Sequence, residues 1–314
     1  MVERHMPVWE GREEKWRAGL GAAARLATAE LRLRRRLDEP FDAVIVGYPG
    51  HLDVGAARRA AEGRPLVFNP LVSVCDTLVG DRGRFRAGSL AARALRAIDR
   101  RAFGAADLVV SDTAAHAEVF RALGARRVEV CFVGAEERVF RPGWEGGGPV
   151  LFVGKLIPLH GLDTILAAAR LAPDVPFRIV GSGQLDRLLA DRPANVQRVP
   201  WVEYEQLPGE LYRASCALGI FAASPKAARV IPNKVFQALA CGTPVVTADT
   251  PAARELLRDG ESALLVPVDD PQALADAVRR VTPQLGAGGL AAYRKHASEE
   301  VLGARWRGVV ETLL

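Results

Sequence analysis

The strongest constraint in this sequence is an alternation that starts, stops and starts again. "FDAVIVGYPG" (41–50), "RPLVFNP" (64–70), "ADLVVSD" (106–112) and "RRVEVCFVG" (126–134) are short, apolar and β-branched. Helical patterns such as "VGAARRAAEG" and "LAARALRAIDRRAFGA" lie between them. Apolar strands alternating with helices describe βαβ units and a parallel sheet covered on both faces. "RPGWEGGGP" (141–149) then interrupts the pattern with turn formers and reads as a linker. The alternation resumes with "VLFVG" (150–154), "FRIVGSG" (177–183), "VQRVPWV" (196–202), "CALGIFA" (216–222), "TPVVTAD" (243–249) and "ALLVPVD" (263–269). The fold class this predicts is α/β, with two Rossmann-like doubly wound domains facing across a cleft. A ligand is expected at the C-terminal ends of the strands. A length of 314 residues also exceeds one ordinary core.

Composition excludes several classes. Hydrophobic residues make up 49% and charged residues 25%, a globular balance. No apolar run approaches a membrane span, and the start lacks a secretory pattern, so a cytoplasmic setting is expected. Cys75, Cys131, Cys216 and Cys241 are scattered singly and read as small hydrophobes in a reducing compartment. The net charge of +5 comes from clustered arginines: Arg32 and Arg34 to Arg36, then Arg82, Arg84, Arg86, Arg93, Arg96, Arg100 and Arg101. They read either as solvated helix faces or as a surface for anionic lipid or an anionic substrate, which would make the protein membrane-associated. No nucleic-acid motif is present, and aromatics are only 6%.

Three segments carry the chemistry. In "FVGKLIPLHGLDTILAA" (152–168) a strand ends at Gly154 and a helix opens after His160 and Gly161. Lys155 and His160 add donors or positive charge beside a helix N-terminus, which predicts an anion site. In "IVGSGQL" (179–185), Gly181 and Gly183 follow a strand, without the third glycine of a dinucleotide fingerprint. In "RVIPNKVFQALACGTPVVT" (229–247), Pro232 stops earlier helix, Asn233 is the expected cap, and Lys234 falls in the first turn. A cation there opposes the helix dipole, and a bound anion would relieve the conflict. Gln237, one turn on, is placed to bond a hydroxyl.

In this order, the three segments resemble the second domain of family 4 glycosyltransferases, which have the GT-B fold. The first loop usually reads Gly-Arg-Leu-x-Pro-x-Lys-Gly in that family. Here Gly154 to Gly161 keep the frame but put Lys155 and His160 at the two cationic positions. The resemblance implies that these residues hold the donor diphosphate, and that Gln237 stands where a glutamate binds ribose. Arg229 stands where another glutamate contacts the donor sugar, a departure from the pattern. "RPANVQRVPWVEYEQLPGELYRASCALGIF" and "RELLRDGESALLVPVDDPQALADAV" extend the likeness over about residues 106–314. It implies an acceptor-side domain (1–143), a nucleotide-sugar-binding domain (144–303) and a final helix (304–314) that returns to the first domain through Trp306, Val309, Val310 and Leu313. The opening "MVERHMPVWEGREEKW" reads as entering the first domain late, without the family's N-terminal glycine-rich βα unit.

The function implied is transfer of a sugar from a nucleoside-diphosphate-sugar to an acceptor hydroxyl, with retention. Helix N-termini and Lys155, Lys234 and Arg229 would stabilise the leaving diphosphate without a metal or resident cofactor. The partners expected are the donor and a glycan, lipid or small-molecule acceptor, with no nucleic acid. His51 and Asp76 are the candidates for a catalytic base, and each also has a structural reading; Asp53 lies close to His51. His116 reads as a helix-surface histidine. Two rivals stand beside this reading: a related epimerase or phosphorylase, and a degenerate nucleotide-sugar-binding protein without transfer.

Overall fold

The computed structural model describes residues 40–314 together with Glu3, residues 28–29 and residues 31–33. Arg34, Arg35, Arg36, His5 and the opening segment lie outside the described residues. All ten apolar runs are strands. The first domain pairs β1 (Val44–Val46), β2 (Leu66–Phe68), β3 (Leu108–Ser111) and β4 (Val128–Val130) in parallel, in chain order. Period-two alternation divides each strand between two cores. Leu66, Phe68 and Val109 face one side with Phe103 and Phe120, which come from the helices Leu90–Ala105 and Ala114–Ala122. Val67, Leu108 and Val110 face the other side, where Val309, Leu302, Trp306 and Leu313 cover them.

Leu302, Trp306 and Val309 belong to the last helix, Glu299–Glu311, and Leu313 lies just beyond its end. The helix starts ahead of residue 304, because Ser298 caps it by accepting from the Val301 amide. Arg305 pairs with Glu129 at 3.0 Å, and Arg127 donates to Thr312 at 2.8 Å, so charged rims flank the apolar seam.

The second domain forms one parallel sheet in the order β10-β9-β8-β5-β6-β7. Its strands are β5 (Val150–Val153), β6 (Phe177–Val180), β7 (Val196–Val199), β8 (Cys216–Leu218), β9 (Val245–Ala248) and β10 (Leu264–Val266). Strand order reverses between β5 and β8, which opens a crevice beyond their carboxyl ends. Val150, Phe152, Ile179 and Leu218 pack on one side, and Leu151, Val180, Ala217 and Phe236 on the other.

The segment 141–149 is not a free linker. The amides of Gly143 and Trp144 donate to the Cys241 carbonyl, those of Glu145 and Gly146 donate to Tyr212, and the Trp144 indole donates to Ala214 at 2.7 Å. Its glycines allow backbone to lie against backbone, and the result is stitched to the second domain. The four cysteines are free thiols, three of them buried. Among the described residues no helix is long and apolar enough to cross a membrane.

Candidate active site

The helix Asn233–Cys241 begins beside the crevice. Its capping position is Pro232, and no side chain caps it. Asn233 is therefore the first helical residue, not the cap, and its side chain is exposed. Proline at the cap supplies no side-chain acceptor, so the first-turn amides remain available to a ligand.

Lys234 follows, and its side chain folds inward. Its Nζ has no exposed surface and no hydrogen-bond partner. It lies 3.6 Å from the centroid of the Phe152 ring, on β5. Burial holds its pKa well below the ordinary lysine value. Gly154 touches the same place: a Cβ there would stand 3.1 Å from Lys234 Nζ and 3.3 Å from the His160 ring. Glycine at the end of β5 thus lets the Lys234 amine and the His160 ring pack close against the backbone.

His160 is buried, and its Nδ1 donates to the Lys155 carbonyl at 2.5 Å. Burial first, and the nearby Lys234 charge second, push its pKa down to about 2. His160 is therefore neutral and its one ring donor is already used, so it supplies no cation to a diphosphate; the expectation from sequence is corrected here. Lys155 is exposed at the mouth of the loop. Gly181 has a packing role. At φ +139° a Cβ would fall 2.0 Å from the Gly154 carbonyl, so Gly181 lets two strand ends meet. Gly183 packs in the same way on Leu156. Gln237 lines a narrow cavity with Lys234, Leu151 and Leu207, and its amide reaches the Tyr204 hydroxyl.

The first domain contributes one turn wound as a π-helix, Asp76–Asp81. Asp99, fully buried, holds its base by accepting from Ser73 Oγ at 2.6 Å and from the Val74 and Cys75 amides. His51 is part of this scaffold. It lies edge-on to Phe68 and Phe103, with Nε2 3.5 Å from Asp99 Oδ1. Burial lowers its pKa, against the pull of Asp99. It sits inside the first core rather than in the cleft, which removes it as a base for an acceptor. His116 is also fully buried, not on a surface, with Nδ1 2.8 Å from Asp112 Oδ1.

Asp76 does reach the cleft. Its Oδ2 accepts from Arg229 Nη2 at 3.0 Å, so two candidates taken separately from the sequence meet across the domains. Two further residues, not singled out individually in the sequence, complete the cluster. Lys226 is buried, donates to Thr77 Oγ1 at 2.9 Å and lies 3.6 Å from Asp81. Burial lowers its pKa, Asp81 opposes that, and Arg82 adds to it. Arg82 lies 3.5 Å from Asp81 and close enough to depress His160 as well. The available signal for Lys226 was a lysine in the largely apolar "GIFAASPKAARVIP", three residues before Arg229. Arg82 was hidden among its arginine neighbours.

An uncapped helix N-terminus and an unpartnered buried lysine beside the crevice of a doubly wound sheet stand where open α/β sheets hold anionic ligands. Comparison with known proteins agrees with that class of fold and narrows it. Residues 148–283 match the model for glycosyl transferases group 1, and residues 2–136 match that for a glycosyl transferase 4-like domain. A D-inositol 3-phosphate glycosyltransferase of Geodermatophilus obscurus is 31% identical, over 85% of this chain and 71% of its own. One from Mycobacteroides abscessus is 27% identical over 78% of this chain and 59% of its own. A phosphatidyl-myo-inositol mannosyltransferase of Mycobacterium leprae is 35% identical over 42% of this chain and 36% of its own. This chain thus spans well under two thirds of the length of those last two relatives. Among solved structures, a sucrose-phosphate synthase of Thermosynechococcus elongatus superposes with a TM-score of 0.74 at 16% identity, covering 93% of this chain and 78% of that one. Anabaena HepE in complex with UDP-glucose gives 0.69 at 16%, covering 94% and 84%. The fold is GT-B, and the chain belongs to the family 4, group 1 glycosyltransferases.

Proposed function

We propose that this protein transfers a sugar from a nucleoside-diphosphate-sugar, with retention and without a metal, to an acceptor hydroxyl presented by the first domain. The observation that carries this reading is Lys234, whose buried amine has no partner, lies in the first turn of an uncapped helix and packs against Gly154. A diphosphate there would receive helix amides and a charge-assisted bond from Lys234. As the bond from the sugar C1 to the diphosphate oxygen breaks, negative charge grows on that oxygen. Lys234 and the helix dipole would stabilise that charge. The acceptor oxygen bonds to C1, and its proton passes to the departing phosphate oxygen. No separate base is then needed, which fits the burial of His51.

A uridine donor is favoured, because a structural neighbour is described in complex with UDP-glucose. The names of the relatives favour an inositol-type acceptor, free or in a lipid. The test is titration calorimetry with UDP and with uridine. Lys234→Ala should weaken UDP by about 1.5–3 kcal/mol, the usual worth of a hydrogen bond to a charged group. Uridine should be unaffected. Equal UDP affinity in parent and variant would refute the phosphate site. Turnover of labelled UDP-sugar should persist in EDTA. The Arg229–Asp76 bridge favours a second reading, a binding protein whose sugar pocket is closed by that pair. It requires UDP binding with no release or transfer of sugar.

A further inference from the structure

A second cavity lies on the first domain, between the helices Leu90–Ala105 and Ala114–Ala122. Its open volume is about 440 Å³. Ala115, Val119, Ala122 and Leu123 line one side at helical spacing, and Arg96 and Arg100, one turn apart, line the other. Small side chains on one helix and arginines on the other leave the seam unfilled, where most helix pairs interdigitate large apolar residues. Arg229, from the second domain, closes one end.

The electrostatics of this groove are unbalanced. Its one acidic lining residue is Glu118, which is held by Arg121 at 2.5 Å. Arg100 makes no ion pair with a described residue, and the recorded partner of Arg96 is the neutral Cys75 thiol. Among the described residues, Arg229 is the only one of the three arginines with a carboxylate, Asp76. An apolar wall facing two guanidiniums that have no carboxylate partner among the described residues suits a ligand with an anionic head and an apolar body. Guanidinium forks match phosphate oxygens in particular.

We propose that this groove binds a phosphorylated amphiphile, with the phosphate on Arg96 and Arg100 and the apolar part along Ala115, Val119 and Ala122. Arg229 connects the groove to the cleft, so the occupant is the acceptor or its phosphorylated end; in this respect the inference rests on the transferase reading. The shared chemistry is a phosphate ester beside an apolar segment, which a lipid or a soluble phosphate ester could present.

The experiment uses the full chain and three probes: glycerol 3-phosphate, hexyl phosphate, and phosphatidylcholine vesicles with or without phosphatidic acid. Hexyl phosphate should bind at least about tenfold tighter than glycerol 3-phosphate, because only it covers the apolar wall. Arg96→Gln/Arg100→Gln should weaken both by about tenfold or more, and added salt should weaken both in the parent. Val119→Asp should weaken hexyl phosphate alone. Sedimentation with phosphatidic acid vesicles, lost in the double arginine variant, would identify a lipid as the source. Binding of the soluble esters without vesicle binding would identify a soluble phosphate. UDP affinity is measured on each variant; normal UDP binding shows that the variant is folded and the donor reading intact. Hexyl phosphate binding the double arginine variant as tightly as the parent, or failing to bind a parent that binds UDP, would overturn the proposal. Equal affinity for glycerol 3-phosphate and hexyl phosphate would overturn the assignment of the apolar wall.

Discussion

At the scale of single residues, the site is governed by how burial sets protonation. Lys234 has lost its hydration and gained only the face of Phe152, so its charged form is disfavoured. A diphosphate beside it would restore that charged form. Binding of UDP should therefore take up protons, and affinity should rise as pH falls toward the lowered lysine value. Calorimetry in two buffers of different ionisation heat measures the uptake, and Lys234→Met should abolish most of it. His160 gives a stability signature instead. Its folded pKa is about 2, against an ordinary value of 6.5. Below 6.5 the unfolded chain binds a proton that the folded chain refuses, so this residue makes stability fall as pH drops through that window. One proton is worth about 1.4 kcal/mol per pH unit, or about 2 kcal/mol between about pH 6.5 and about pH 5. Urea midpoints for His160→Gln should fall less steeply over this interval than those of the parent.

At the scale of elements, the sequence was most legible where one physical cause dominates. Ten apolar runs became ten strands because a strand buried on both faces has little alternative. The helix ends were harder to read. Asn233 has the chemistry of a cap, yet proline fixes the dihedral angle one residue earlier and takes the capping position, so the helix begins at Asn233 itself. The turn Asp76–Asp81 left no periodic signal, because its shape depends on Asp99, more than a full turn of helix away in another element. The burial of His51 and His116 was illegible for a similar reason: the Asp99 and Asp112 carboxylates that sit beside them depend on the fold. The glycines were legible as tight turns, but their division of labour was not. Gly154 lets the Lys234 and His160 side chains pack against the backbone, whereas Gly181 permits contact between two strand ends. Gly181→Ala should accordingly destabilise the second domain by about 2–4 kcal/mol, from overpacking on the Gly154 carbonyl and an unfavourable φ. Urea denaturation measures this, and a loss below about 1 kcal/mol would mean that the strand ends can part without cost.

At the scale of the whole molecule, two sets of contacts join the domains, and they differ in kind. Near the linker, Tyr293 donates to Ala135 and Glu137, and Glu137 and Glu299 exchange backbone and carboxylate bonds. Together with the helix Glu299–Glu311 packed on the first sheet, this makes one apolar, continuous hinge side. Across the cleft the hydrogen bonds and ion pairs join Arg229 to Asp76, Lys226 to Thr77 and Asp81, and Thr113 to the Arg229 carbonyl, beside a small apolar contact of Ala115 with the second core. Glu255 adds the most specific of them. Its two oxygens accept from the amides of Ala114 at 2.7 Å and Ala115 at 2.9 Å, so a carboxylate of the second domain caps a helix of the first. Polar interfaces of this kind can be broken and remade without exposing a core, as the proposed binding of a donor between the two domains would require. Removing Glu255 should shift the molecule toward an open arrangement while leaving both cores intact. For Glu255→Ala we expect hydrogen exchange at the Ala114 and Ala115 amides to accelerate about 10- to 150-fold, from the loss of bonds to a charged acceptor. The radius of gyration from small-angle scattering should rise at the same time, and the melting of each domain should change little. Faster exchange with an unchanged radius would show that Glu255 only caps the helix. An unchanged rate would show that the cleft is held shut by the Arg229 and Lys226 bridges alone.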